Sequence, residues 1–431
     1  MKHYNHYITG AVTLGISTAI ISLLARWITA NTILSSPEAL IKFGLVGSIG
    51  YSFMGAVALL LFGFISVRIR TYYPDLLTLG DLFQLRLRKD GYYLMSSIIL
   101  FLGLDSLFMQ AIGASVLFEL LLGIPVWVSL FIFFIYTFLV AGIGGMKWIR
   151  RLEGPAIVFI FSAIIFIPMF FFIREGATNI YYGIRLLHPY LLFTNNQESV
   201  YFAATAMLIG FGQMISDRAT WQRLYLIDLK KVRVSFYLTA LVWITIPLSL
   251  GGMLMIVIYD QSFTETFSLL FELVKKIEPL LLLSIFFLFC FSTISSTTNA
   301  ELHATTVHFV RHIQYKLHPT MSDKQLYKAS YQFSGILLFV LLVISLFYNF
   351  DALEFLFFFG TLYAALIPVM LFVILSRRRL SRLLPYAVPI GAISVHLVPA
   401  ISEPLPSIWF SFLISLAVSF ISMLFAEREF F

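Results

Sequence analysis

Charged residues are scarce in this sequence. Only 12% of its 431 residues are Asp, Glu, Lys or Arg, against about 25% in soluble globular domains. The single cysteine, Cys290, lies within an apolar run, which excludes a disulfide framework and a cysteine-based metal site. The eight histidines show no HExxH or other metal-ligand spacing, so we do not expect an enzyme. Residues 1–7 are polar and the following apolar stretch is too long for a signal peptide, so we expect no cleavable leader.

Long apolar runs are abundant instead. Hydrophobic residues make up 60% of the chain, and a helix that crosses the bilayer needs about 20 mostly apolar residues. Windows of about 19 residues predict an all-α integral membrane protein with about twelve transmembrane helices. The predicted spans are 8–43 (interrupted), 45–67, 92–122, 126–146, 156–173, 200–216, 236–259, 279–310, 329–348, 352–375, 384–401 and 406–425.

The distribution of Lys and Arg predicts the orientation of these helices. Alternate loops hold clusters of basic residues, whereas the opposite loops hold few, mostly beside acids. Because short cytoplasmic loops carry an excess of Lys and Arg, we expect a multi-pass protein of the cell membrane with both termini in the cytoplasm. The formal charge of +7 therefore reflects topology, and we expect no nucleic-acid partner. The basic clusters lie at 68–89, 147–151, 218–233, 311–328 and 377–382.

Two predicted spans contain residues that interrupt helices. In the first, Pro37 follows Arg26 and Asn31, and because proline removes a backbone donor it favours a break there. A simple kink between two short helices is the alternative. In the sixth, Gly210 and Gly212 predict a weak point, since glycine costs about 1 kcal/mol in a helix interior. Close helix packing is the alternative role for these glycines.

The two interrupted spans are the first members of two groups of five helices. Broken helices at corresponding positions of inverted halves indicate a transporter binding site near the middle of the membrane. We therefore predict a single polytopic domain over 1–431. It contains a first inverted repeat at 8–173, a second at 199–376 and two additional helices at 384–425.

Hydroxyl side chains are concentrated in the second half of the eighth span. Ser292 and Ser296 fall on one stripe of the helix, and Thr293 and Thr297 fall on the next. Hydroxyl and carbonyl oxygens suit an unhydrated Na⁺ or a similar monovalent ion. Alternatively, such hydroxyls bond to carbonyls one turn back or join two helices. Glu301 is an acid within the span, so we expect it to have a partner or to line a water-filled path.

Three short segments, 32–51, 216–223 and 295–304, contain recognisable motifs. The second has Asp217, Trp221 and Arg223 at the spacing Asp-x-x-x-Trp-Gln-Arg, and the third contains Ala300 and Glu301 followed by Leu-x-Ala. At these segments the sequence resembles the sodium:solute symporter family, and within it the branch that transports urea and polyamines. The resemblance implies the five-plus-five inverted-repeat fold, also called LeuT-like. The family usually has a helix ahead of the broken one, whereas here the broken helix comes first.

The resemblance also implies a cation site. The family's common sodium site would use the carbonyl oxygens of Ala25, Ile28 and Thr293, and the hydroxyls of Ser296 and Thr297. One turn earlier on the same helix, Ser292 with Thr293 is the alternative hydroxyl pair. Na⁺ is the expected coupling ion, with H⁺ as the alternative.

The solute should then lie between the two broken helices. Asp105 could instead pair with Arg26, and Trp27 could face lipid at the membrane interface. We expect Asp217 to form a structural ion pair with Arg218 or Arg223. The candidate solute-binding residues are Trp27, Thr29, Asn31, Asp105, Gln110, Phe211 and Gln213.

The predicted function is secondary active transport. We expect a Na⁺-coupled symporter that takes up a small polar organic solute, such as urea, a polyamine or an amino acid, by alternating access. The lipid bilayer is its expected environment, and no obligate protein partner is expected. The alternative is a non-transporting membrane sensor or receptor domain on the same fold.

Overall fold

The computed structural model describes residues 2–263, 269–347, 352–397 and 403–425. Its secondary structure is helical, apart from one isolated parallel bridge between Leu14 and Ile227. The helices are α1 Lys2–Thr9, α2 Ile16–Trp27, α3 Ala30–Tyr72, α4 Leu79–Arg86, α5 Lys89–Leu122, α6 Val126–Thr137, α7 Gly145–Phe171, α8 Ala177–Leu187, α9 Gln197–Ser216, α10 Arg218–Leu226, α11 Val232–Trp243, α12 Thr245–Ile258, α13 Leu273–Lys276, α14 Leu280–Phe309, α15 Tyr315–Leu317, α16 Asp323–Phe347, α17 Ala352–Leu375, α18 Ala387–Ser394 and α19 Pro404–Phe425.

Ten helical segments among the described residues are long and apolar enough to cross a membrane. Shorter apolar helices, Ile16–Trp27 and Leu384–Leu397, correspond to the predicted first and eleventh spans. The expectation of an all-α, multi-pass membrane protein is therefore confirmed. Two predicted span ends, at Tyr348 and Ile401, lie outside the described residues.

The 43-residue helix α3 folds back on itself at Gly44. Gly44 has a φ of 66°, which only glycine adopts without strain. The Tyr51 hydroxyl donates a hydrogen bond to the Asn31 carbonyl over 3.3 Å, although the two residues are 20 positions apart. Since 20 residues of straight helix span about 30 Å, the parts of α3 before and after Gly44 are two separate passes.

The first broken helix is interrupted at Ile28, not at Pro37 as the sequence indicated. Helix α2 ends at Trp27, and Thr29 caps α3 by accepting a hydrogen bond from the backbone N–H of Thr32. Pro37 lies within α3, where it costs one hydrogen bond. The break falls earlier because side chains from other helices satisfy the backbone there, and a sequence window cannot register such partners.

The second break lies at Asp217 rather than at the glycines. Helix α9 runs through Gly210 and Gly212 to Ser216. A side chain on Gly212 would lie 2.3 Å from the carbonyl oxygen of Tyr363, so this glycine permits close approach of α9 to α17. The alternative reading of the glycines, as packing positions, is the one that the geometry favours. Asp217 then caps α10 by accepting a hydrogen bond of 2.8 Å from the N–H of Thr220.

Helix α14 lies at the centre of the molecule. It packs against α7, α5, α2 and α10. Every residue of α14 from Ser292 to His308 is buried, although this segment is rich in hydroxyls. Burying polar groups is costly unless they find partners, and the ends of α2 and α10 supply partners for Ser296, Thr297 and Glu301.

Candidate functional site

The end of α2 and the hydroxyl-rich part of α14 form a cluster of oxygen atoms. Ser296 Oγ donates to the carbonyl oxygen of Ala25 over 2.9 Å and lies 3.1 Å from that of Thr293. Thr297 Oγ1 donates to the carbonyl oxygen of Ile28 over 2.7 Å. The last carbonyls of a helix lack partners within it, so the break leaves these oxygens free to be contacted from α14. All five predicted cation-binding residues therefore lie together.

This cluster has the chemistry of a monovalent cation site. Three carbonyl oxygens and two hydroxyl oxygens are hard, uncharged ligands, which suit an unhydrated alkali cation better than a divalent one. Among the described residues, no group of three or more His, Cys, Asp or Glu residues could hold a metal ion. The alternative residue Ser292 lines a cavity between α6, α7 and α14 that Ser295, Ser296 and Asn299 also line.

A cavity lies beside the break of the first helix. Its volume is about 80 Å³, counted as positions open to a water molecule, which is room for several waters or one small organic molecule. The broken helices, α5 and α17 form its walls. Six of the seven predicted solute-binding residues line it: Trp27, Thr29, Asn31, Asp105, Gln110 and Gln213.

Phe211 is the exception. It is half-buried and packs against the hydrophobic core, and it is not among the residues that line the cavity. Phe211 and Gln213 are two positions apart on α9, which turns their side chains by about 200° around the helix axis. With Gln213 facing the cavity, Phe211 points away from it.

Trp27 faces the protein interior and not lipid. Its side chain is buried, and the indole Nε1 donates to Thr220 Oγ1 over 2.8 Å. Its carbonyl oxygen accepts a hydrogen bond from Trp243. Gln110 holds the other side of the break, since its Oε1 accepts the backbone N–H of Ala30 over 2.8 Å. These contacts fix the backbone at the point where the helix is interrupted.

Buried charges in the wall of the cavity join both broken helices to α14. Arg26 contacts Asp217 and Glu301, each over 2.7 Å. Arg218 forms a second ion pair with Glu301 and donates to the carbonyl oxygen of Ile99 on α5. The network thus consists of two guanidinium groups and two carboxylates, all at most 7% exposed.

The expected structural ion pair at Asp217 is confirmed, but the sequence did not predict the partners within this network. Glu301 has the partners that an acid inside a span requires. Asp217, however, pairs with Arg26 and not with Arg218 or Arg223. Asp105 accepts a hydrogen bond of 2.6 Å from the hydroxyl of Tyr363 and is not paired with Arg26. Tyr363 lies on α17, far from the motifs, and only its position beside the cavity identifies it.

A second buried ion pair links α10 to α7. Arg223 contacts Glu153 over 2.7 Å and donates to the hydroxyl of Ser22, which itself donates to Glu153 over 2.9 Å. Arg223 is 1% exposed. The motif residue Trp221 is also buried. The Asp217–Arg223 segment is therefore a structural joint between the two broken helices and their neighbours.

The chain is similar to known proteins in both sequence and fold. Among curated proteins, the "Probable urea active transporter 2" of Schizosaccharomyces pombe is 25% identical over 246 residues. That alignment covers 54% of this chain and 36% of the relative, so it spans about a third of the relative's length.

Solved structures show the same fold. A Na⁺-coupled sialic acid symporter in a substrate-bound outward-open state superposes with a TM-score of 0.80 at 12% identity, covering 99% of this chain and 92% of that one. Mhp1, a nucleobase-cation-symport-1 family transporter, gives 0.63 at 14% identity, with 98% and 94% covered. The expected LeuT-like architecture is therefore confirmed. The model of the sodium:solute symporter family matches residues 7–382, and the chain belongs to this family.

Proposed function

We propose that this protein is a secondary active transporter that couples the uptake of a small polar organic solute to the entry of Na⁺. The observation that carries the proposal is the shared use of one helix break. The carbonyl oxygens of Ala25 and Ile28 face α14, while Trp27 and Thr29, between and beside them, line the cavity. An ion on one side and a solute on the other would therefore hold the same few residues of backbone.

The ion would be bound by the five-oxygen cluster. The hydroxyls of Ser296 and Thr297 donate to the carbonyl oxygens of the break. Na⁺ would be held by the carbonyl oxygens of Ala25, Ile28 and Thr293 and by these two hydroxyls, whose lone pairs would turn toward the cation. H⁺ remains the alternative coupling ion.

Coupling would follow from linkage. A ligand shifts a conformational equilibrium only by its difference in affinity for the two states, and the effect is reciprocal between two ligands. Na⁺ at the end of α2 would favour the outward-open arrangement of the break, and the solute would favour the same arrangement through Trp27 and Thr29. Each ligand then raises the affinity for the other, and α2 moves when both have bound.

The membrane arrangement belongs to the same proposal. We assign 8–173 and 199–376 as inverted repeats, 384–425 as two additional helices, and both termini to the cytoplasm of the cell, whose plasma membrane holds the protein. The S. pombe relative, by its name, concerns urea. Urea is therefore the first solute to test, followed by polyamines and amino acids.

The decisive experiment removes the two hydroxyls together. Ser296→Ala/Thr297→Ala should abolish Na⁺-dependent solute uptake into proteoliposomes while the protein still elutes as a monodisperse species in detergent. The matched control is Ser295→Ala/Thr298→Ala, since these neighbouring hydroxyls bond to carbonyls of α14 and, at Ser295, also to Tyr136 on α6, rather than to the break. Unchanged Na⁺ dependence in the first double variant would remove the cluster as the ion site.

A further inference from the structure

Most polar groups of the cavity already have partners within the protein. Trp27 Nε1 donates to Thr220, and Gln110 Oε1 accepts from Ala30. The side chain of Asn31 is bonded to Ser35. Groups that are satisfied in this way hold the shape of the site. A solute must bind mainly to groups that retain hydrogen-bonding capacity, because displacing an internal bond returns little net energy.

Besides the NH₂ group of Asn31, whose Oδ1 alone is bonded to Ser35, three cavity groups retain that capacity. Asp105 has a single partner among the described residues, the Tyr363 hydroxyl on Oδ2, which leaves Oδ1 available. The side chain of Gln213 has no hydrogen-bond partner among them, so its whole carboxamide is available to a solute in the cavity that it lines. The hydroxyl of Ser106, next to Asp105, is the third. Asp105 is the most selective of the three, since an ionised carboxylate can only accept hydrogen bonds.

The charge of the cavity indicates a solute without a negative charge. Its lining contains two guanidiniums, of Arg26 and Arg218, and three carboxylates, of Asp105, Asp217 and Glu301, a formal charge of −1. With a proton on Asp105 the sum is zero. In neither state is there a positive charge left to match an anionic solute. A solute carboxylate would enter a site of low dielectric constant without a counter-charge, which is strongly unfavourable.

We propose that Asp105, assisted by Gln213, selects the solute by its N–H groups, so that the site accepts small uncharged amides and ureas and rejects carboxylates. Asp105 Oδ1 accepts an N–H of the solute. The Gln213 carboxamide can pair reciprocally with the solute's C=O and N–H, because it offers both a donor and an acceptor. Rejection follows from the repulsion that a carboxylate meets at Asp105, an arrangement of the kind that makes sites specific. The inference rests on the proposed function, because it requires the solute to occupy this cavity.

The test uses a pair of solutes of nearly equal shape. Acetamide carries an NH₂ group where acetate carries an oxygen, and urea carries two NH₂ groups. Each is supplied labelled to proteoliposomes with an inward Na⁺ gradient, and each is also added to the detergent-solubilised protein in a thermal-shift assay, which reports binding without transport. The wild type should accumulate and bind urea or acetamide with at least about tenfold preference over acetate, as expected from one hydrogen bond to a charged group.

Substitutions at Asp105 and Gln213 test whether these residues cause the preference for amides over acetate. Asp105→Asn should raise the KM for urea or acetamide by about 10- to 100-fold and narrow the gap between acetamide and acetate, because an amide no longer repels a carboxylate. Gln213→Ala should raise the same KM by a smaller factor. The controls are Asp90→Asn, on the same helix but in a cytoplasmic-end ion pair with Arg382, and Phe211→Ala, two positions from Gln213 and outside the cavity. Both should keep the wild-type ratio.

The outcomes separate the two proposals. Uptake without any dependence on Na⁺ would overturn the proposed coupling and leave the selectivity to be judged from the ratio of amide to acetate. Equal or stronger binding of acetate by the wild type, in either assay, would overturn the selectivity. The same conclusion would follow if Asp105→Asn retained the wild-type ratio as Asp90→Asn does.

Discussion

Replacing Glu301 by Gln should strongly destabilise the protein. Glu301 is fully buried and contacts two guanidiniums, Arg26 over 2.7 Å and Arg218 at hydrogen-bonding distance. It also accepts a hydrogen bond from Thr305. The amide of Gln keeps the size of the side chain but removes its charge, and its NH₂ group faces donors.

The magnitude follows from the partners left behind. Removing one member of a buried ion pair costs roughly 3–5 kcal/mol, because the remaining charge stays buried without compensation. Arg26 retains Asp217 as an ion-pair partner, so the loss of Glu301 costs less than the full value at Arg26. Among the described residues, the hydrogen-bond partner that Arg218 keeps is the backbone carbonyl of Ile99, so the loss of Glu301 costs close to the full value at Arg218. We therefore expect a loss of about 3–4 kcal/mol, which lowers the folding equilibrium constant by more than about 100-fold.

The assay is thermal unfolding of the purified protein in detergent, followed by tryptophan fluorescence. Glu301→Gln should unfold well below the wild type. Glu119→Gln is the matched control, since Glu119 lies exposed on α5 and an exposed substitution changes stability by about 0.5 kcal/mol or less.

A second variant makes the reasoning refutable. Glu301→Gln/Arg218→Gln should be less destabilised than the sum of its single variants, by about 1 kcal/mol or more, because the stranded guanidinium is then absent. Equal melting of Glu301→Gln and Glu119→Gln, or full additivity in the double variant, would show that the network does not depend on charge pairing.

Three further outcomes are expected. Gly212→Ala should lose about 1–3 kcal/mol, measured in the same melting assay, because the new methyl group would lie 2.3 Å from the Tyr363 carbonyl oxygen; an unchanged melting point would contradict the close packing. Thr29→Ala should lose about 1 kcal/mol through the missing helix cap, and Thr29→Ser should restore it. Na⁺ at about 100 times its dissociation constant should stabilise the wild type by about 2.7 kcal/mol relative to choline, but not Ser296→Ala/Thr297→Ala; equal stabilisation of both would place the ion elsewhere.

The broken helices show where local sequence stops predicting structure. Pro37, Gly210 and Gly212 have the strongest intrinsic tendency to interrupt a helix, yet all three lie within helices. The breaks fall instead at Ile28 and Asp217. At these positions Thr297 and the capping oxygen of Asp217 itself satisfy the backbone. Propensity contributes about 1 kcal/mol per residue, so a few tertiary hydrogen bonds are enough to move a break.

The buried charges could not be paired from sequence for a similar reason. Glu301 could be recognised as an acid that needs a partner, because the cost of an isolated charge in a span depends on the span alone. Which arginine neutralises it depends on how α2, α10 and α14 cross. Asp217 and Arg218 are adjacent in sequence, yet their side chains have different partners, Arg26 and Glu301.

The sequence by itself determined two kinds of property. Some add up over many residues, and others depend only on the spacing of residues along one helix. Apolar length specified a helical membrane protein, and the run from Ser292 to Thr298 placed many hydroxyl oxygens close together on one helix. Tertiary structure alone decided which groups meet: that those hydroxyls reach the carbonyls of Ala25 and Ile28, that Phe211 turns away while Gln213 faces the cavity, and that Asp105 is left with a free oxygen. These are contacts between helices, whose free energies depend on distances of a few ångströms, and no pattern along a single helix encodes them.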